Sequence, residues 1–545
     1  MLRRAFENLT RLLVIAAAVN VVYLAFVPGY DWRAGPLHLV AHAAFKPLIF
    51  LSASFTLAIL ARMAAGASRD ADGDPWLPAW PLLVAVAAIG AYAVSFRVNY
   101  HDPLWAYTDF SASHASAGSL AEYFYRRLPD GFYRPIGFLS LWVDWRLFGE
   151  ALGWYHLQSV GLHLGNSLLV AVVGRGLGYR RVVATAAALV FAVAPATFET
   201  VMWPAARFDL LAAFFSLAAF VLALRYARAG GVTALLGMCG SLALALLSKE
   251  SAYAAPLLLI VLRLVRGAGC AAAAELRRWR PAIGCAFLVA AAAVALRFPV
   301  LGGIGGYGSL HFALTWNTVA TMLVRAPLAC QMAVDATTRW PLWMGAGVAG
   351  FALLLVYVTF TYRPGPRRSE WWPLAALLVA LLPSANVIAF IGPSLVQGRY
   401  LYYCSVWPAL FLGAVLIRTP HPRAVLALWV ALAGLATFFN QYVHERRVDS
   451  IPRFVAGIAE DLNAAPSCRQ IALVDMPDQM NGSLFFSQEL AGALRARLPG
   501  VAIELKGRTT REGPPPSACL AYAWVDETPP LVRLKRIRGG GSHVW

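Results

Sequence analysis

Residues 181–224 read Arg181-Val-Val-Ala-Thr-Ala-Ala-Ala-Leu-Val-Phe-Ala-Val-Ala-Pro-Ala196, then Thr197-Phe-Glu-Thr-Val-Met-Trp-Pro-Ala-Ala-Arg-Phe-Asp209, then Leu210-Leu-Ala-Ala-Phe-Phe-Ser-Leu-Ala-Ala-Phe-Val-Leu-Ala-Leu224. Two continuous apolar runs flank a short turn that holds Glu199, Arg207 and Asp209. The runs are rich in Ala, Leu and Val and show no alternation of polar and apolar residues. They therefore predict membrane-spanning helices rather than strands of a lipid-facing barrel.

The same pattern recurs in both directions along the 545 residues. A spanning helix needs about 20 mostly apolar residues. Runs near that length fall at roughly 10–28, 44–62, 80–97, 154–173, 181–196, 209–225, 232–247, 252–265, 281–298, 342–361, 372–391, 400–417 and 423–440. The expected fold is thus an all-α polytopic membrane protein of about thirteen transmembrane helices. Composition agrees: 59% of the residues are hydrophobic and 14% charged, against about 45–50% and about 25% in soluble domains. That excludes a soluble enzyme and a disordered chain. The 18 Trp, 20 Tyr and 29 Phe suit aromatic belts at the two lipid surfaces. Met1-Leu-Arg-Arg precedes the first run, which lacks a small-residue cleavage site and reads as an anchor.

The net charge of +18 has a topological reading. Alternate loops hold Arg3 and Arg4, Arg62 and Arg69, Arg175, Arg180 and Arg181, Arg225 and Arg228, Arg263 to Arg280, Arg363 to Arg368, and Arg418 and Arg423. The positive-inside rule makes these loops cytoplasmic. The N-terminus is then inside and, with an odd number of spans, the C-terminus outside. No clustered basic patch suggests nucleic acid.

After about residue 443 the composition changes. Ile471-Ala-Leu-Val-Asp475, Val501-Ala-Ile-Glu-Leu505 and Cys519 to Val525 read as strands, and Ser487 to Arg497 as an amphipathic helix. A small C-terminal α/β periplasmic domain is expected over 443–545. Cys468 and Cys519 can pair there if the compartment is oxidising. The remaining divisions are two additional N-terminal helices in 1–64, a cytoplasmic linker in 65–79, and a core in 80–442 with an outer loop at 98–153.

The outer ends of the expected spans carry an uneven share of ionisable residues. They are Tyr100-His-Asp102, Phe198-Glu-Thr200, Arg207-Phe-Asp209, Ser248-Lys-Glu-Ser251 and Gln397-Gly-Arg-Tyr-Leu-Tyr402. Charges bordering a bilayer are costly and default to function. Arg207, Lys249 and Arg399 suit an anionic lipid headgroup, and Asp102 suits proton abstraction from a hydroxyl. Each also has a plain alternative: a Lys249–Glu250 ion pair, helix capping by Arg207 and Asp209, a snorkelling Arg399, and a turn at Asp102-Pro103. His156 and His163 share a helix face and read as inter-helix hydrogen bonders; with no third ligand at metal spacing, no zinc site is expected.

The order of these motifs resembles the glycosyltransferases of the C-type (GT-C) fold that use a polyprenyl-phosphate sugar. The nearest likeness is to transmembrane O-mannosyltransferases with tetratricopeptide repeats and their bacterial relatives. It is carried by Tyr100-His-Asp102, Tyr133-Arg-Pro-Ile136, Tyr155-His-Leu-Gln-Ser-Val-Gly-Leu-His163, Phe191-Ala-Val-Ala-Pro195 with Glu199, Arg207-Phe-Asp-Leu-Leu211, Lys249-Glu250, Leu382-Pro-Ser-Ala-Asn386 and Gly398-Arg-Tyr-Leu-Tyr-Tyr-Cys-Ser405. It covers roughly residues 80–420. His101, Ala194 and Gly398 depart from the pattern, and no tetratricopeptide repeat follows.

The resemblance implies sugar transfer from a polyprenyl-phosphate donor to a protein, lipid or glycan acceptor in a bacterial inner membrane, on the periplasmic side. Asp102 is the implied base, with Asp109 second and Glu199 a further candidate. Arg134, Arg207, Asp209, Lys249, Glu250, Arg399, Tyr400 and Tyr402 are the candidate substrate contacts. No metal ligand is assigned, and a divalent cation (Mg or Mn) stays open as a cofactor. A flippase or a non-catalytic membrane scaffold is the competing reading.

Overall fold

The computed structural model describes residues 2–26, 30–34, 37–41, 54–55, 80–92, 121–125, 132–149, 152–268, 273–303, 319, 330, 341–364, 371–384, 398–448, 450–476, 490, 494, 498, 500–507, 517–526 and 532–538. Asp102, Asp109 and the 65–79 linker lie outside the described residues, as does most of the expected span 44–62.

The protein is a helical membrane protein with a small sheet near its C-terminus. Its helices are α1 (Leu2–Phe26), α2 (Trp80–Ala91), α3 (Glu122–Tyr125), α4 (Pro135–Phe148), α5 (Leu152–Gly176), α6 (Arg181–Ala192), α7 (Phe198–Met202), α8 (Arg207–Ala229), α9 (Val232–Leu246), α10 (Ala255–Ala268), α11 (Ala273–Leu301), α12 (Leu342–Thr361), α13 (Trp372–Leu381), α14 (Val406–Leu416), α15 (Pro422–Val448) and α16 (Ser450–Ala464). A hairpin pairs Tyr30–Ala34 (β1) with Leu37–Ala41 (β2).

Among the described residues, five helical stretches are long and apolar enough to cross a bilayer: Gly153–Gly176, Arg207–Ala229, Ala273–Leu301, Leu342–Thr361 and Pro422–Tyr442. A sixth span results if α6 and the Pro195–Met202 segment, bent by 49°, are one crossing. This is fewer than the thirteen expected; most of the expected span 44–62 and residues 385–391 of the expected span 372–391 lie outside the described residues. Within the expected runs 232–247, 372–391 and 400–417 the described helices are Val232–Leu246, Trp372–Leu381 (followed by the 3₁₀ turn Leu382–Ser384) and, after the 3₁₀ turn Gly398–Leu401, Val406–Leu416, each shorter than a bilayer crossing needs. Pro195 and Pro383 interrupt otherwise continuous runs.

Helix α8 is the axis of the bundle. It packs along α5 and α9 and crosses α11, and 61% of its apolar window is buried. Helix α11 has only 17% buried, and its Leu288, Leu296 and Phe298 are exposed, as a lipid-facing helix requires. Gly230 and Gly231, at φ 74° and 98°, turn the chain from α8 into α9. Small residues bring α6 and α14 together. A Cβ on Gly413 would lie 2.6 Å from the Ala187 backbone nitrogen, the close approach typical of helix pairs in lipid.

The tail strands lie where the sequence places them. β3 (Gln470–Met476) runs parallel to β4 (Ala502–Gly507) and to β5 (Leu520–Asp526). A fourth strand, β6 (Val532–Arg538), pairs antiparallel with β5 and was not expected. The order is β4-β3-β5-β6. Of the expected 487–497 helix, Leu490 and Leu494 are described; both are helical and buried. Helix α16, also unforeseen, contributes Phe454, Ile458 and Leu462 to the apolar cluster that holds Ile471, Leu473 and Tyr522. Asp461 of α16 accepts hydrogen bonds from the Tyr522 hydroxyl and the Arg536 guanidinium, both at 2.8 Å. Cys468 and Cys519 form the anticipated disulfide, with Cα atoms 5.5 Å apart.

Candidate functional site

The N-terminal end of α8 gathers most of the described ionisable candidates. The chain reaches it through two Pro-initiated 3₁₀ turns, Pro195–Thr197 and Pro204–Ala206, with the short helix α7 between them. Proline at the first position supplies the right φ and forfeits an N–H that has no partner there anyway. This crank carries Glu199 and Trp203 to the same end as Arg207 and Asp209.

Arg399 sits on a 3₁₀ turn, Gly398–Leu401. Its guanidinium lies over Trp203 and over Tyr400, 4.8 Å from each ring centroid. It donates to the Tyr400 hydroxyl at 2.9 Å. Glu199 accepts the Arg399 backbone N–H at 3.2 Å, with the nearest side-chain approach at 3.9 Å. Lys249 pairs with Asp209 and lies 5.5 Å from the Tyr400 ring centroid. Asp209 also feels the charges of Arg134 and Arg399, and Glu199 those of Asp209 and Lys249. These groups form one electrostatic unit.

Glu250 turns away from Lys249, so the two make no pair with each other. Its carboxylate accepts from Arg134 at 2.6 and 3.0 Å and from Arg297 at 2.7 Å. Burial alone would raise the Glu250 carboxyl; the two guanidiniums outweigh it and hold the carboxyl down to about 2. Arg134 also stacks on Phe132, 4.0 Å from the ring centroid.

Arg207 and Tyr402 belong to the interior. The Arg207 side chain is 0% exposed, pairs with Asp144 of α4, and donates to the Tyr155 carbonyl at 2.9 Å. Its guanidinium is engaged within the fold. The Tyr402 hydroxyl faces α5. His163 Nε2–H donates to the Ala192 carbonyl at 3.0 Å, which leaves Nδ1 to accept from Tyr402 at 2.8 Å. Asn166 donates to the same hydroxyl oxygen at 3.0 Å. His163 is thus the inter-helix hydrogen bonder anticipated from its spacing.

The site residues the sequence left out are Asp144, Trp203 and Arg297. Asp144 is the acid within Leu141-Trp-Val-Asp-Trp145, and Arg297 a base near the end of the apolar run 281–298. Both break the rule that isolated charges do not belong in apolar surroundings, and that rule applied residue by residue would have found them. Trp203 carries no comparable signal. Among the described residues no three His, Cys, Asp or Glu converge as metal ligands. The chain matches no protein-family model, no curated protein and no solved structure.

Proposed function

We propose that the protein is a GT-C-like membrane glycosyltransferase of about thirteen transmembrane helices. It moves a sugar from a polyprenyl-phosphate donor to a hydroxyl of a protein, lipid or glycan acceptor on the periplasmic side of a bacterial inner membrane. The observation that carries this reading is the convergence of Arg399–Glu199, Lys249–Asp209 and Arg134–Glu250–Arg297 at one end of the bundle. Arginine backed by aromatic rings suits a phosphate at the lipid–water boundary. The disulfide-linked tail supports the orientation. Helix α15, which leads into it, bonds near the same end: Thr437 donates to the Val193 carbonyl at 2.9 Å and Gln441 to the Ala91 carbonyl at 2.6 Å. Disulfides persist in oxidising compartments.

In this scheme the donor tail lies in lipid and its phosphate meets Arg399. Asp102 takes the proton from the acceptor hydroxyl, with Asp109 and Glu199 the other carboxylates in question. The acceptor oxygen attacks the anomeric carbon. The bond from that carbon to the phosphate oxygen breaks, and the lipid phosphate leaves with its new charge facing Arg399. A carrier would place its charges near the bilayer midplane, whereas these gather at one end.

The test uses membranes given a labelled polyprenyl-phosphate sugar. Asp102→Asn is expected to abolish transfer while donor still binds. Arg399→Gln is expected to weaken donor binding about 10–100-fold, the equivalent of one lost charge-assisted hydrogen bond. Full turnover by the Asp102 variant would remove that residue from the role of base.

A further inference from the structure

Three ion pairs at this end close into a ring. Arg207 at the start of α8 pairs with Asp144 in α4. Arg134, the residue before α4, pairs with Glu250. Lys249, beside Glu250, pairs with Asp209, two residues beyond Arg207. The Ile136 N–H donates to the Leu247 carbonyl at 3.2 Å and fastens the start of α4 to the same turn. Inside the ring lies Phe208, whose ring sits 5.1 Å from that of Phe138. Gly137 makes room for it: a Cβ there would stand 2.0 Å from Phe208 Cδ1.

A helix as short as α4 is marginal by itself in water, so what it docks against decides where it lies. Buried ion pairs add little net stability compared with apolar packing, but they demand a defined geometry. Here they act at both ends of the α4 contact. One of the three, Lys249–Asp209, also meets the Tyr400 ring and so shares the ground of Arg399. The register of α4 and the setting of Arg399 are therefore linked through Lys249.

We infer that the ring, with Phe208 seated on Gly137, fixes α4 as a wall of the anionic-lipid site. Asp144, Gly137 and Glu250 are then positioning residues that act through α4 and Arg399. This rests on the phosphate-binding half of the function proposed above, and not on sugar transfer.

The experiment takes the full chain in lipid nanodiscs and measures binding of a polyprenyl monophosphate, alongside amide hydrogen exchange. Gly137→Ala is expected to weaken binding at least about fivefold and to speed exchange across 135–148, with 212–224 unchanged. Adding Phe208→Ala, which removes the Cγ, Cδ1 and Cε1 atoms that would clash, is expected to recover part of both. Glu250→Gln, which alters no packing volume, is expected to shift both readouts in the same direction as Gly137→Ala. Wild-type binding by Gly137→Ala and Glu250→Gln would overturn the inference, as would failure of Phe208→Ala to recover any of the loss. Binding that follows the expected pattern in a protein that transfers no sugar would sustain the inference and sink the transferase reading.

Discussion

The two ends of α8, about 35 Å apart at 1.5 Å per residue, are built on different chemistry. At its N-terminal end acids and bases interlock: Arg207 with Asp144, Lys249 with Asp209, and Glu250 between Arg134 and Arg297. At its C-terminal end arginines cover helix termini. Arg228 donates to the Gly176 carbonyl, Arg278 to the Arg228 carbonyl at 2.7 Å, and Arg175 to the Tyr179 carbonyl at 2.7 Å. The described carboxylate there is Glu275, held by Arg266 at 2.8 and 3.0 Å. Cations at helix C-termini offset the negative pole of the macrodipole. Buried charges of both signs at the other end do not serve that purpose, and the proposed function rests on that contrast.

The sharpest way to break the contrast is to unbalance the interlocked end. Asp144→Asn leaves the Arg207 guanidinium buried and short of a counter-charge, and should cost about 3–5 kcal/mol, read as reduced resistance to unfolding in detergent. The charge swap Asp144→Arg with Arg207→Asp should recover part of that loss. Next in size is the disulfide of the tail. Cys519→Ser should cost about 2–5 kcal/mol of local stability, seen as faster proteolysis of the tail with the α8 amides still protected. Should that variant loosen the helical bundle as well, the tail and bundle would be one cooperative unit.

A pH titration isolates Glu250. Its carboxyl is lowered from 4.5 to about 2, so the Arg134 and Arg297 pairs stabilise the fold fully above the ordinary value. That contribution is lost as pH falls from about 4.5 towards 2. Thermal unfolding followed down this range should show the loss, and Glu250→Gln should flatten it; an unchanged slope in that variant would assign the acid sensitivity to other carboxylates. The smallest effect is expected at the opposite end. Arg228→Gln should change stability by less than about 1 kcal/mol, since it removes a single hydrogen bond to a carbonyl at a helix end. A loss as large as that of Asp144→Asn would erase the distinction between the two ends.

Much of this architecture is legible in the sequence. Apolar run length and composition determine a helical membrane protein, because every backbone polar group in lipid must be bonded within its own segment. Strand alternation located β3, β4 and β5, and the cysteine positions permitted the disulfide. The collection of Glu199, Asp209, Lys249, Glu250 and Arg399 at one end was legible as well, from their common place at the tips of apolar runs. What the tertiary structure alone decided is who faces whom. Lys249 and Glu250 are neighbours in sequence but reach in different directions, to Asp209 and to Arg134 with Arg297. Arg207 and Asp209 lie two apart on one helix and are both buried, yet one meets Asp144 and the other joins the Arg399 cluster. Adjacent helical residues point about 100° apart, so a change of one or two positions selects a different neighbour. That neighbour comes from a distant stretch of chain, and no local pattern names it.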